Sequence, residues 1–235
     1  MKIMDIHSHT YYSRCGKDAP SVIIDAAVSG GIELFGISDH NHGICERKHE
    51  YSEEINKLKE LYKDRIQLLC GIEIAAVEEY YDMENDDYEL FDYCLIEGAR
   101  EKNGLAAHER LFGFTDKIQI PKGLAHTDLF LLAEECGESA ESFCKKMAEH
   151  NVFWELNISY DSIHEYREHE YVKRFFESEK EQEAVRKSGM YVSIGFDGHR
   201  TEDYLPERIK EFNKKLEQLN LNTFDMLFNR KAGGQ

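Results

Sequence analysis

Seven short apolar runs with strand character recur along this chain, each separated from the next by a segment with helical spacing, and that alternation restricts the fold more than any other feature. The runs cover residues 2–6, 34–38, 66–72, 90–96, 119–125, 152–156 and 190–195. Between them, PSVIIDAAVSGG has a proline near its start and a glycine stop, and EYSEEINKLKELYKD sets Ile55, Leu58 and Leu61 or Tyr62 on one stripe. Further helices are expected at SAESFCKKMAEH, EQEAVRKSG and LPERIKEFNKKLEQLN. Parallel βα units cover both faces of a sheet, so seven or eight of them predict an α/β fold closed, or nearly closed, into a TIM-like barrel. The 235 residues suffice for one such domain over 1–235, with the last residues, about 230–235, expected to fray.

The residues that follow the runs carry the chemistry. The first run leads into DIHSHT, and a strand sends residues i and i+2 to the same side, so His7 and His9 can converge on one point. The second ends in Asp39 and His40, the third in Glu73, the fifth in His126 and Asp128, and the seventh in Asp197 and His199. In a βα barrel the C-terminal strand ends form one face, which would gather these groups at a single mouth. Solvated loop starts would show a mixture of Lys, Ser, Asn and Gln instead. Imidazoles and carboxylates together suit zinc, iron or manganese, with carboxylates able to bridge two ions.

Composition excludes several other classes. Forty-six acidic residues against 29 basic ones give a net charge of −17, a field that repels nucleic-acid backbone, so long nucleic acid is not an expected partner. No apolar stretch approaches the roughly 18–20 residues of a membrane span, and no basic segment followed by a long apolar one opens the chain; no membrane partner and a cytoplasmic location are expected. The six cysteines form no CxxC pair and read as reduced thiols.

The segments DIHSHT, SDHNH, GIEI, GLAHTD, WELN and GFDGH, in this order and spacing, closely resemble the polymerase-and-histidinol-phosphatase (PHP) family of metal-dependent phosphoesterases, and within it the stand-alone histidinol-phosphatase-like members. The resemblance spans Asp5 to about Arg200 and implies a distorted (β/α)7 barrel with two or three divalent ions at its C-terminal mouth. It implies that His7, His9 and Asp197 hold a first ion, that Glu73 bridges it to a second bound by His126, and that His40 and His199 hold a third. Two positions depart from the family pattern. Cys15 stands where a histidine is usual, either as a thiolate ligand or as a plain small residue. EGAR stands where a serine-valine-histidine segment is usual, leaving Glu97, or failing that His108, as the replacement, or else an open or water-filled position on the second ion.

A cluster of ions would make this mouth positive on an acidic protein, as a phosphate dianion requires. The expected reaction is hydrolysis of a small phosphomonoester, histidinol phosphate being the family's best-known substrate, by attack of a metal-bound hydroxide on phosphorus, with phosphate as product. Glu73 and Asp197 would act through the ions, and Lys17, Arg100 and Arg200 would pair with phosphate unless they are ordinary surface charges. Asp5, Asp39 and Asp128 either orient imidazoles or serve as caps and turns. His42 lies close to the mouth, Asn157 is expected to line the pocket, and His49, His150, His164 and His169 read as surface residues. The irregular segments 78–89 and 98–117 either are solvated or cap the mouth. Two other readings stay open: a phosphodiesterase or 3′-5′ exonuclease on nucleotides or short oligonucleotides, and a non-catalytic metal-binding or phosphate-sensing protein.

Overall fold

The structure, a computed structural model, describes residues 1–229, so the tail expected to fray lies outside the described residues. Eight strands form one all-parallel sheet in sequence order: β1 (Met4–Asp5), β2 (Leu34–Ile37), β3 (Gln67–Ala75), β4 (Tyr93–Glu97), β5 (Lys122–Leu124), β6 (Val152–Asn157), β7 (Tyr191–Gly195) and β8 (Asn222–Thr223). The sheet curls until its ends meet. β7 shares its free edge between two partners, β8 pairing with Tyr191 and Val192, while beyond them Ile6 N–H donates to Ile194 O and the Asp197 and Gly198 amides donate to His7 O.

All seven expected strands are present. The two-residue β8 is an addition that no apolar run announces, and β3 and β6 run on to Ala75 and Asn157, which puts Glu73 and Asn157 inside strands and not just after them. Five helices absent from the sequence reading also appear among the described residues, the short Asn41–Ile44, Leu111–Thr115 and Asp225–Asn229 and the longer Leu129–Glu135 and Glu170–Glu177. Leu129–Glu135 is too uniformly apolar to show a 3.6-residue stripe, and it starts where Asp128 accepts from Leu131 N–H at 3.1 Å. Glu170–Glu177 follows an irregular, charged stretch that hides its start. No helix among the described residues is long and apolar enough to cross a membrane.

The interior is filled side chain by side chain. Tyr93, fully buried on β4, reaches across the barrel to donate its hydroxyl to Ile6 O at 2.5 Å. Glycines beneath the ring make that reach possible: a Cβ on Gly71 of β3 would lie 2.3 Å from the ring, and one on Gly36 of β2 would lie 2.1 Å from the hydroxyl. Gly71→Ala is therefore expected to overpack the interior and cost about 1–3 kcal/mol, measured as a fall in the denaturant midpoint at constant m-value.

Candidate metal centre

The ends of β1, β2, β3, β4, β5 and β7 deliver nine ligand-type residues to one mouth. Isolated bridges extend the parallel register into the site, pairing Ser8 with Gly198 and His40 with Glu73. Two of the site residues stand at positive φ, His126 at 27° and Asp197 at 58°, a conformation costing of order 1–3 kcal/mol that the surrounding structure must hold in place.

Glu73 occupies the centre. Its Oε2 lies 3.2 Å from His7 Nε2, 3.4 Å from His9 Nε2 and 3.0 Å from His40 Nδ1, while its Oε1 faces His126 Nε2 at 3.0 Å. Beside it, His7 Nε2 and His9 Nε2 approach each other to 3.2 Å, and Asp197 Oδ1 lies 3.5 Å and 3.1 Å from them. Glu97 stands 3.2 Å from His40 and 4.0 Å from His126. Cys15 groups with His9 and His40, their ligand atoms all within 4.8 Å of one another. Of the two replacements weighed for the missing histidine, Glu97 is the one brought to the cluster; His108 lines a separate cleft with Lys102, Arg110 and Glu135.

This donor set fits divalent cations. Lone-pair atoms crowd within ion-sharing distance, and among them Glu73 Oε2, His40 Nδ1 and His199 Nδ1 are buried without a hydrogen-bond partner. Protons balance the charge among the side chains themselves. Burial works against charge on each imidazole, but the carboxylates outweigh it at His7, held well above its ordinary value, at His40, pushed up to about 11, at His199, to about 10, and at His126, to about 9. Burial wins only at His9, which is also repelled by His40 and falls to about 3. For Glu73 and Asp197 the facing imidazoles overcome burial and hold both carboxyls well below the usual range. Burial alone would raise the Cys15 thiol, yet hydrogen bonds with His199 and His40 bring it down to about 7.

A layer of buried groups orients these side chains. Fully buried Glu155 meets His7 Nδ1 at 2.7 Å with one oxygen and accepts the His126 backbone N–H at 2.7 Å with the other, which turns His7 Nε2 toward the cluster. Gly195 on β7 permits this, because a Cβ there would fall 1.9 Å from Glu155 Oε1. Asp39 accepts from Thr10 N–H, Thr10 hydroxyl and Ser13 N–H, fixing the loop after His9, and Ser13 Oγ accepts from His40 N–H. Asp5, pushed up to about 7 by burial, accepts from the Phe196 amide at 2.9 Å and the Tyr204 hydroxyl at 2.8 Å. Asp128 is a helix cap clamped by Arg174 and orients no imidazole.

The expected cations divide. Arg100 is bound through two nitrogens to Glu135 and lines a cavity of about 620 Å³ with His40, His42, Glu97 and His126. Tyr80 and Glu101 from the two irregular segments also wall this cavity, with His42 packed against Tyr80. Lys17 is exposed, its backbone N–H bonded to His199 O. Arg200 is half-buried, its Nε without a hydrogen-bond partner.

Three residues escaped the sequence reading. Glu155 carried a signal, an acid inside the apolar run VFWELN. Asp161 and His164 carried none, lying in an irregular segment. His164, read as a surface residue, instead places Nδ1 2.7 Å from Asp161 and Nε2 3.2 Å from Asp197, because the chain after β6 folds back over the mouth.

Glu155→Ala is expected to free the His7 ring and weaken metal binding about 10–100-fold, as read by chelator competition. Imidazoles that bind protons more tightly folded than unfolded contribute stability that is complete below their unfolded pKa, about 6.5, and lost as pH rises through the folded values. The chelator-treated protein should thus melt at progressively lower temperature from about pH 6.5 to about pH 11, the contributions of His126, His199 and His40 ending in turn near pH 9, 10 and 11.

A histidinol-phosphatase of Lactococcus lactis subsp. lactis (strain IL1403) is 27% identical to this chain over 81 residues, covering 32% of the chain and only 30% of that relative's length. The crystal structure of histidinol phosphate phosphatase from Lactococcus lactis subsp. lactis Il1403, complexed with zinc, L-histidinol and phosphate, superposes with a TM-score of 0.59 at 14% identity, covering 94% of each chain. It shares the fold. The PHP domain profile matches residues 5–227, nearly the full length and every group of the metal centre, and the chain belongs to the PHP domain family.

Proposed function

We propose that this protein is a metal-dependent phosphoesterase that hydrolyses a small phosphomonoester. The observation that carries the reading is the two-sided environment of Glu73, one oxygen toward His7, His9 and His40 and the other toward His126, which is how one carboxylate serves adjoining cations. His7, His9 and Asp197 would hold one ion, His126 and Glu97 a second, and His40, Cys15 and His199 a third, so that two or three zinc, iron or manganese ions share the mouth. Bound there, such ions polarise phosphoryl oxygens and activate water near neutral pH.

The chain's own groups do the rest. Glu155 keeps the His7 ring aligned, and the Asp39, Thr10 and Ser13 network keeps the His9 and His40 loops in register. Arg200, with its Nε buried and unpaired, is assigned to the phosphate, and exposed Lys17 to steering it inward. Arg100, committed to Glu135, shapes the cavity beside Glu97 and His126. At about 620 Å³ that cavity suits the organic half of a small metabolite, and the similarity to histidinol-phosphatases makes histidinol phosphate the first compound to try.

Metal analysis of the purified protein, joined to a screen of phosphorylated metabolites with added manganese, zinc or iron, tests this. p-Nitrophenyl phosphate should be cleaved in preference to its bis-ester; the reverse preference would favour a diesterase. His7→Ala and Asp197→Ala should each lower turnover by at least about a thousandfold with the circular dichroism spectrum retained, and unchanged turnover in either would remove the mechanism.

A further inference from the structure

The two oxygens of Asp197 have different neighbours. Oδ1 faces the cluster, with His9 at 3.1 Å, His7 at 3.5 Å and His199 at 3.7 Å. Oδ2 faces away from it, toward Asn157 Nδ2 at 3.2 Å and His164 Nε2 at 3.2 Å. Behind His164 stands Asp161, 1% exposed, whose Oδ1 meets His164 Nδ1 at 2.7 Å and accepts the His164 backbone N–H at 2.8 Å. The other oxygen of Asp161 lies 3.5 Å from His199 Nδ1.

We propose that His164, set by Asp161, is a positioning residue that occupies Asp197 Oδ2 and leaves Oδ1 alone to serve the metal cluster. This rests on the reading of Asp197 as a metal ligand. A carboxylate free to rotate can bind an ion through one oxygen or two; donors on one oxygen select the one-oxygen mode and hold the ring of ligands to a single geometry. The segment that carries the pair is itself anchored. Asp203, in the turn just after His199, accepts from the Ser162 amide and hydroxyl and from the Tyr166 hydroxyl, and Tyr166 N–H closes back onto Asp161 O at 2.8 Å. Glu165 and Tyr166, both at φ 53°, make the tight reversal that brings His164 inward. The loop after β6 and the loop after β7 are thereby one unit around Asp197.

The test compares wild type, His164→Ala, His164→Gln and His9→Ala, each stripped and reloaded with Co(II). Affinity is followed by chelator competition, coordination by the visible d–d spectrum and folding by circular dichroism. Loss of the His164 donor, with Asn157 Nδ2 left alone on Oδ2, should weaken Co(II) about 10–100-fold and alter the d–d bands, while His164→Gln, whose amide can still donate to Asp197, recovers part of both. His164→Ala with wild-type affinity and spectrum, alongside a His9→Ala protein that has lost its metal, would overturn the positioning role and leave the metal centre standing. Wild-type protein that takes up no Co(II) would overturn both. If His164→Ala fails to fold, a His164→Gln protein with altered d–d bands and an affinity between wild type and His9→Ala supports the role, and one with a wild-type spectrum and affinity, or one as impaired as His9→Ala, refutes it.

Discussion

A carboxylate buried among four imidazoles organises this protein. Glu73 is shut away from water on β3, where an unpartnered charge would cost several kcal/mol, and its stability depends on His7, His9, His40 and His126 arriving from three other strand ends. The parallel register makes those arrivals possible. Glu73 N–H donates to Asp39 O at 3.0 Å and Glu73 sits beside Leu95 of β4, so its position is fixed by backbone pairing before any side chain meets it.

Holding like-natured donors so close requires a rigid surround, which the barrel supplies through residues outside the cluster. Tyr93 ties β4 to the end of β1 over glycines that clear its path, and Glu155 uses both oxygens to join the His7 ring to the His126 backbone through a gap that only Gly195 leaves open. The strained backbone at His126 and Asp197 persists because these contacts over-determine it. Cluster geometry and barrel packing are in this sense one structure: the same glycines that let the interior fill also let the clustered imidazoles and carboxylates approach.

Much of this was readable along the chain. The strands were visible as apolar runs, and the residues after them, His7, His9, His40, Glu73, His126, Asp197 and His199, stood out because strand ends are local features and a period of two decides which side chains share a face. Leu129–Glu135 was hidden by its uniform apolarity, and β8 by its two-residue length. His164 was misread because nothing local distinguishes a histidine on a solvated loop from one on a loop that folds back over a pocket.

The sequence by itself determined the order of the units and the chemistry of the donors, since both follow from residue identity and short-range spacing. Tertiary structure decided which donors meet. It set Glu97 in the cluster and His108 in another cleft, Cys15 between His40 and His199, Arg100 against Glu135, and the Asp161–His164 pair behind Asp197. Those are distances between positions far apart in the chain, 188 residues for His9 and Asp197, and they are fixed by strand register, sheet curvature and the path of loops, none of which short-range pattern encodes.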